Sequence, residues 1–247
     1  LDLSGAHLSY GDFKDATFRA KGAIRLKGAG LAHADLSGSK LTARGDGDAT
    51  IDFAEANLAN ANLSGSKLTA ESGYDYGADA TIDFTRANLA NAGLSGSALT
   101  AKNTGNGDAT INFAEANLTN ADLSGSALTA DSVYGDALIG FTEANLADAD
   151  LSGSTITADS SYGSATINFT EANLANANLS GWTLTADTIV GLAPPCADTS
   201  KTCKKNKCKK YKPKKKQTCQ TTCDVAPPEN KCDCFKEDAK KGSKKCK

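Results

Sequence analysis

The chain has 247 residues, with 27 Lys and Arg, 29 Asp and Glu, 8 Cys and no Met. Residues 1–195 carry 10 basic and 23 acidic residues, a net charge of −13, whereas residues 196–247 carry 17 and 6, a net charge of +11. No apolar stretch is long enough for a signal peptide or a membrane span. We therefore expect a processed, soluble product with no membrane partner.

A five-residue pattern starts at the first residue and is clear in residues 56–68, ANLANANLSGSKL. A large apolar residue recurs every five positions, a small residue stands two positions before it, and polar residues fill the other positions. An α-helix needs apolar spacings of three and four, and a flat strand alternates with a period of two. A chain that turns a corner every five residues fits the pattern. The pattern resembles the A(D/N)LXX repeat of the pentapeptide-repeat family, which implies a right-handed, four-sided parallel β-helix.

The large apolar residues group into seven sets of four, which predicts about seven coils with one pentapeptide on each side. The sets are Leu3, Leu8, Phe13, Phe18; Leu26, Leu31, Leu36, Leu41; Phe53, Leu58, Leu63, Leu68; Phe84, Leu89, Leu94, Leu99; Phe113, Leu118, Leu123, Leu128; Phe141, Leu146, Leu151, Ile156; and Phe169, Leu174, Leu179, Leu184. The predicted fold class is all-β, with the β-helix over residues 1–193 and a small irregular domain over residues 194–247.

Extra residues separate the later coils, and residues 71–77 are an example. They are rich in Gly, Ser and Asp, so we expect loops. All of them follow the fourth side, which predicts that the loops stack on one corner and carry the tyrosines Tyr74, Tyr76, Tyr134 and Tyr162.

The two ends of the predicted β-helix differ. Trp182 replaces a small inward residue in the last coil, and we interpret it as a plug of the core. At the other end Leu1 and Leu3 are already in register with the repeat, which leaves an unpaired β edge. These two leucines are therefore candidate assembly residues.

All eight cysteines lie after residue 195, which favours a disulfide framework in an oxidising compartment. They are Cys196, Cys203, Cys208, Cys219, Cys223, Cys232, Cys234 and Cys246. Zinc is the alternative, but the segment has no histidine and its cysteine spacings differ from common ligand pairs. The run from Cys196 to Cys223 resembles small ShK-like cysteine modules but lacks their final Cys-x2-Cys.

The same segment is rich in lysine, which makes it a candidate polyanion-binding or assembly segment. The candidate lysines are Lys204, Lys205, Lys207, Lys209, Lys210, Lys212, Lys214, Lys215 and Lys216.

Four sequons place Asn at an outward position, and they permit N-glycosylation in a secretory pathway. The acceptor residues are Asn62, Asn117, Asn168 and Asn178.

Equivalent residues of successive coils should stack into columns. One column mixes charges: Glu55, Arg86, Glu115, Glu143 and Glu171. A second contains amides that can hydrogen-bond along the rod: Asn57, Asn88, Asn117, Asn145 and Asn173. A third contains Thr42, Thr69, Thr100, Thr129, Thr157 and Thr185, which raises an ice-binding hypothesis. The neighbouring position is threonine in only the last two coils, so that array is incomplete.

Nothing in the chain favours an enzyme. His7 and His33 occupy different outward sites with no nucleophile beside them, the carboxylates belong to the repeat, and we expect neither a cofactor nor a metal site.

The leading hypothesis is a secreted structural protein, a subunit of an extracellular fibre or matrix that assembles with itself head-to-tail. In that contact the open β-helix end and the basic, cysteine-rich segment would bind the next acidic rod. The alternatives are a module that binds a polysaccharide, mineral or other polyanionic surface, a DNA mimic that binds a topoisomerase, and an ice-binding protein. Nucleic acid is a less favoured partner.

Overall fold

A computed structural model describes residues 1–73 and 77–192, and these ranges contain strands and no helix. Seven strands lie on what we call the fourth face: β1 (Thr17–Lys21), β3 (Lys40–Gly45), β5 (Lys67–Ser72), β7 (Ala98–Asn103), β9 (Ala127–Ser132), β11 (Thr155–Ser160) and β13 (Thr183–Thr185). Seven lie on the first face: β2 (Ala23–Arg25), β4 (Ala49–Asp52), β6 (Ala80–Asp83), β8 (Ala109–Asn112), β10 (Ala137–Gly140), β12 (Ala165–Asn168) and β14 (Thr188–Val190).

Each set forms one parallel sheet of seven strands in coil order. The second and third faces are narrower, and single parallel bridges such as His7 to Gly30 and Asp12 to Asp35 join their coils. Each coil therefore pairs only with its two neighbours. The predicted four-sided parallel β-helix is confirmed.

The pentapeptide builds its own corner, which explains the Asn or Asp in front of each large apolar residue. The Asn57 side-chain oxygen accepts a hydrogen bond from the Ala59 N–H at 3.2 Å. The Ala61 N–H donates to the Leu58 carbonyl at 2.9 Å and closes a β-turn. Asn60 takes the left-handed conformation (φ 59°) that this turn requires, and Asn tolerates that conformation better than most residues.

The interior is a column of stacked apolar side chains. Five phenylalanines of the first face stack with ring centroids 4.8 to 5.1 Å apart and planes within 2°. They are Phe53, Phe84, Phe113, Phe141 and Phe169, all fully buried. The isoleucines two residues before these phenylalanines are buried as well: Ile51, Ile82, Ile111, Ile139 and Ile167. This continuous core holds the four faces together.

The extra residues between coils stack on one corner, between the fourth and first faces, as predicted. Their interpretation as loops was only partly right, because Glu71 and Ser72 belong to strand β5. Ser72 points inward, fully buried, and its hydroxyl donates to the Gly47 carbonyl at 3.0 Å. Ser132 and Ser160 make the same bond two and three coils further on, to Gly107 and Gly135. These buried polar groups extend the fourth face to six residues and fasten the corner.

A ladder of aspartates completes this corner, and the sequence analysis did not identify it. The carboxylate of Asp79 accepts the Asp108 N–H at 2.8 Å, and Asp108 accepts the Asp136 N–H at the same distance. The backbones also approach closely here, since a Cβ on Gly135 would lie 2.1 Å from the Gly107 carbonyl oxygen. The repeated Gly-Asp pair in front of the first-face strands is the signal that could have revealed the ladder.

Candidate functional site

The first coil leaves the core open at the N-terminal end. Leu3, Leu8, Phe13 and Phe18 are only partly buried, whereas their counterparts Leu118, Leu123 and Leu128 in the fifth coil are at most 2% exposed. Together with the second coil they line a small, wholly apolar cavity. Leu1 lies at its rim with 49% of its surface exposed. The two candidate assembly leucines, Leu1 and Leu3, thus lie together at this open end.

The last coil is closed differently. Trp182 is 2% exposed and meets Phe169 edge to face, with ring centroids 5.8 Å apart. Its indole N–H is buried and has no acceptor among the described residues. Strand β14 then adds a further rung to the first face, and Ile189 and Leu192 pack against the core. Trp182 therefore lies where a plug was predicted.

Charge is distributed unevenly along the rod, and the sequence analysis did not detect this. Residues 1–44 contain seven Lys and Arg and four Asp, a net charge of +3. Residues 103–192 contain eleven Asp and Glu and no Lys or Arg, a net charge of −11. A count made coil by coil, rather than over the whole repeat region, would have revealed an electropositive first end and an electronegative far end.

The predicted mixed-charge column is paired only in its first half. Arg86 donates to Glu55 at 2.7 Å, and Lys27 lies 3.8 Å from the same carboxylate. The Arg86 hydrogen bond, with the two positive charges, lowers the pKa of Glu55 below its ordinary value. In the described part of the chain Glu143 and Glu171 form no ion pair. Like charges therefore accumulate toward the far end.

The amide column is a real hydrogen-bonded ladder, as predicted. Asn88 donates to the Asn57 oxygen at 3.3 Å, and Asn117 donates to Asn88 at 3.2 Å. Asn145 instead donates to the Thr119 hydroxyl at 2.9 Å, and the ladder then resumes from Asn173. These hydrogen bonds link successive coils along the second face.

The predicted threonine column also exists, on the fourth face, where Thr42 to Thr185 occupy one register position in successive strands.

The loop tyrosines Tyr134 and Tyr162 stack with ring centroids 5.1 Å apart and stay largely exposed. Tyr74 and Tyr76 lie outside the described residues.

Repeats of this kind are found by a family profile described as Pentapeptide repeats, which matches eight copies at residues 51–70 and 111–130. Those two ranges are the four sides of the third and fifth coils. The matched segments are pentapeptide repeats of this family. A search of the curated proteins gives no match.

Solved structures of pentapeptide repeat proteins are similar to this one. HetL from the cyanobacterium Nostoc sp. strain PCC 7120, involved in heterocyst differentiation regulation, is 24% identical, with 71% of this chain and 73% of that chain covered and a TM-score of 0.21. Rfr23 from the cyanobacterium Cyanothece 51142 is 18% identical, with 65% and 63% covered and a TM-score of 0.21. Trypsin-treated QnrB1, a plasmid-mediated fluoroquinolone resistance protein, is 16% identical, with 72% and 88% covered and a TM-score of 0.24.

The histidines of this pentapeptide-repeat protein both lie on the second face. His33 stacks on Tyr10 with ring centroids 4.8 Å apart, and His7 lies at the edge of the first coil.

No group of three His, Cys, Asp or Glu side chains within residues 1–73 and 77–192 is arranged to hold a metal ion. Likewise, the described ranges contain no helix that is long and apolar enough to span a membrane.

The four sequon asparagines all serve their own turns, because each side-chain oxygen accepts the N–H two residues later. Asn62 and Asn178 are exposed, whereas Asn117 and Asn168 are half-buried. Asn117 also donates its amide to Asn88. Glycosylation is therefore most accessible at the two exposed sites, and it stays a prediction.

The predicted domain over residues 194–247 lies outside the described residues. This includes the eight cysteines from Cys196 to Cys246, the candidate lysines from Lys204 to Lys216, and the boundary after residue 193. The predicted disulfides and the binding role of the lysines stay predictions.

Proposed function

We propose that this pentapeptide-repeat protein is a non-enzymatic structural protein, a rod-shaped subunit that assembles head-to-tail into an extracellular fibre or matrix. The observation that carries the proposal is the open apolar end of the first coil. Soluble β-helices normally cover such an end, since an unpaired edge is a template for another chain. Here Leu1 is exposed and Leu8 and Phe18 are only partly buried, and they line a small apolar cavity at this end.

The backbone groups that are unused at the two ends are complementary. In the second coil Gly30 and Asp35 donate to carbonyls of the first coil at 2.9 Å. Their first-coil counterparts, the N–H groups of His7 and Asp12, have no acceptor in the described part of the chain. A preceding coil would supply these acceptors.

The last coil offers the matching groups. The Leu146 N–H donates to the Asn173 carbonyl at 2.8 Å, but the N–H groups of Leu174 and Leu179 have no such acceptor among the described residues. If a second rod followed, its His7 and Asp12 carbonyls would accept these bonds, as the Asn173 carbonyl accepts the bond from Leu146. Both narrow faces would then continue from one subunit into the next.

Electrostatics supports the same polarity. An end with a net charge of +3 over residues 1–44 would meet an end that carries −11 over residues 103–192. Opposite charges steer association and oppose head-to-head contacts. Because the two surfaces that meet are different, the contact propagates and does not close.

On the first face, one short segment must move for this contact to form. Strand β14 already pairs with β12 and adds a rung. That rung occupies the place where residues 1–5 of an incoming subunit would lie. Either β14 or those residues must therefore leave the first face on assembly.

The extracellular part of the proposal rests on the sequence. Eight cysteines in one short segment suit an oxidising compartment, and the sequons Asn62 and Asn178 lie on exposed surface. DNA mimicry is less favoured, because the ten Lys and Arg of residues 1–102 interrupt the acidic surface. Ice binding is less favoured, because the threonine array is incomplete.

The assembly can be tested with a proline at the free edge. His7→Pro removes an N–H that has no acceptor in the single rod, and its ring blocks the position of a preceding coil. We expect the full chain to form filaments in negative-stain micrographs at low salt and the His7→Pro variant to stay as single rods. His7→Ala is the matched control, since it removes the imidazole but keeps the N–H, and it should still assemble.

Single rods of the unchanged chain at every salt and protein concentration would overturn the proposed function. Filaments of the His7→Pro variant that match those of the unchanged chain would show that assembly uses another surface. Circular dichroism of the variants should match that of the unchanged chain, because the substitution removes no bond within the rod.

A further inference from the structure

One column of the fourth face carries a charge pattern that reverses along the rod. In coil order it contains Lys21, Arg44, Glu71, Lys102, Asp131 and Asp159, paired in register from β1 to β11. We call this set the charged column. Its signs run plus, plus, minus, plus, minus, minus. When the column is read from β11 to β1, the sign at every position is the opposite of the sign read from β1 to β11. Two copies of the column that lie antiparallel to each other therefore place opposite charges together at every position.

The column is exposed or half-buried along its whole length. Two ion pairs lie within it, Arg44 with Glu71 at 2.8 Å and Lys102 with Asp131 at 3.9 Å. Lys21 forms no ion pair with a described residue. Because all these side chains project from one sheet face, a partner that lies on this face meets the complete pattern.

The face is regular enough to be matched over its length. Successive strands from β1 to β11 pair in register, so each column continues from coil to coil. Side chains in one column therefore follow one another at the strand spacing of about 4.8 Å.

We propose that the fourth face binds the fourth face of a second copy of this chain, with the two rods antiparallel. A two-fold axis along the strands, between β5 and β7, keeps each column opposite itself and reverses the order of the coils. Lys21 then faces Asp159 of the partner subunit, Arg44 faces the partner subunit's Asp131, and Glu71 faces the partner subunit's Lys102. Symmetry doubles these three pairs to six.

Side-chain size fits the same arrangement in the column at the start of each strand. Lys40 and Lys67, which are neighbours in register, face the partner's Ala127 and the partner's Ala98. A long side chain is thus opposite a small one in both cases. Thr42, Thr69, Thr100 and Thr129 lie between these two columns and face the same four residues of the partner, so the centre of the contact is small and uncharged. Arg19 of β1 occupies the same register position and faces the partner's Thr157 at the edge of the contact.

The alternative with parallel rods fits less well. A two-fold axis along the rods would pair Lys67 with the partner's Glu71, but it would place Arg44 opposite the partner's Lys40 and leave Lys102 opposite the partner's Ala98. Like charges in direct opposition are unfavourable. The antiparallel arrangement is the one in which every charge of the column meets its opposite.

The expected dimer is weak. Six residues at about 3.3 Å and six strand spacings of about 4.8 Å give a face of roughly 600 Å², below the roughly 800 Å² per partner of a standard interface. Ion pairs at such an exposed contact are screened by salt. We therefore expect association at low ionic strength that is lost as salt is raised.

Charge exchange between two separately folded variants tests the contact in the full chain. Both variants carry His7→Pro, so that head-to-tail contacts do not contribute. Arg44→Glu and Asp131→Lys should each weaken dimerisation by at least about tenfold, as measured by sedimentation velocity at low salt. An equimolar mixture of the two should regain the dimer, because each altered residue now faces an opposite charge on the partner.

Matched controls change the same charges elsewhere. Lys14→Glu on the third face and Glu143→Lys at the corner between the first and second faces should leave the dimer unchanged. Each component of the mixture still carries its own substitution, so local damage cannot explain recovery in the mixture. The inference is overturned if the protein with His7→Pro alone is monomeric at low salt, or if the mixture is no more dimeric than its components. Either result leaves the head-to-tail proposal untouched.

Discussion

Serine has two opposite roles in this molecule at the scale of single residues. On the inward side of the fourth face, Ser39, Ser66, Ser97 and Ser126 are buried, and their hydroxyls have no partner among the described residues. Only Ser154 of that column donates, to the Leu151 carbonyl at 2.7 Å. At the loop corner, by contrast, Ser132 donates to the Gly107 carbonyl at 3.0 Å. Burial is the same, but only the second group of serines is bonded to the neighbouring coil.

The same substitution should therefore have different effects at these two sites. Ser97→Ala removes a hydroxyl without a partner, and we expect the free energy of unfolding to change by less than about 0.5 kcal/mol or to rise. Ser132→Ala leaves the Gly107 carbonyl without its side-chain donor and should cost about 1–3 kcal/mol. Urea denaturation followed by circular dichroism measures both. Equal losses would contradict the distinction.

At the scale of elements, the first-face strands depend on the phenylalanine stack that follows them. Phe113 is fully buried between Phe84 at 4.8 Å and Phe141 at 5.1 Å. Phe13 in the first coil lies outside this stack, meets one ring, Phe18, edge to face at 6.0 Å, and is partly exposed. Truncation of Phe113 therefore removes two ring contacts, whereas truncation of Phe13 removes one.

The loss of stability on truncation should therefore differ between these two phenylalanines. We expect Phe113→Ala to lower the free energy of unfolding by about 3–5 kcal/mol, the range for a large buried aromatic residue. Phe13→Ala should cost clearly less, because the side chain is half open to solvent and its site leaves no enclosed cavity. The comparison uses the same denaturation assay. A loss at Phe13 as large as that at Phe113 would show that the first coil is not open.

At the scale of the whole molecule, the rod is quasi-one-dimensional, because each coil touches only its neighbours. The hydrogen bond from the Leu8 N–H to the Gly30 carbonyl is 2.7 Å long, and so is the equivalent bond from Leu118 to Asn145. The difference is that the coil of Leu118 has a neighbouring coil on both sides, whereas in the described chain the first coil has a neighbour on one side only. Local stability should fall toward that end.

Hydrogen exchange of the His7→Pro variant measures this gradient in single rods. We expect the Leu8 amide to exchange at least about tenfold faster than the Leu118 amide, since terminal units open with lower free energy than central ones. In filaments of the unchanged chain the difference should shrink, because a preceding coil then covers the first. Equal protection in single rods would contradict the open-end description.

Much of this structure could be predicted from residue order, because the repeat acts locally. A small residue, an Asn or Asp and a large apolar residue at fixed spacing build one corner, and the same pentapeptide repeated builds a four-sided coil. The Asn ladder from Asn57 and the threonine column from Thr42 follow from that repeat. The corner was predicted less well, because Ser72 and Asp79 look like loop residues until the neighbouring coil supplies their partners.

The sequence by itself determined the coil, its period and the residues in each column, since these depend on contacts within a few positions of the chain. The tertiary structure alone decided which coils lie open, which N–H groups at His7 and Asp12 lack an acceptor, and how the charged column from Lys21 to Asp159 runs. Those properties depend on residues that are far apart in the chain and become neighbours only after the coils stack. Assembly surfaces are of this second kind, because they belong to the stack as a whole and not to any single pentapeptide.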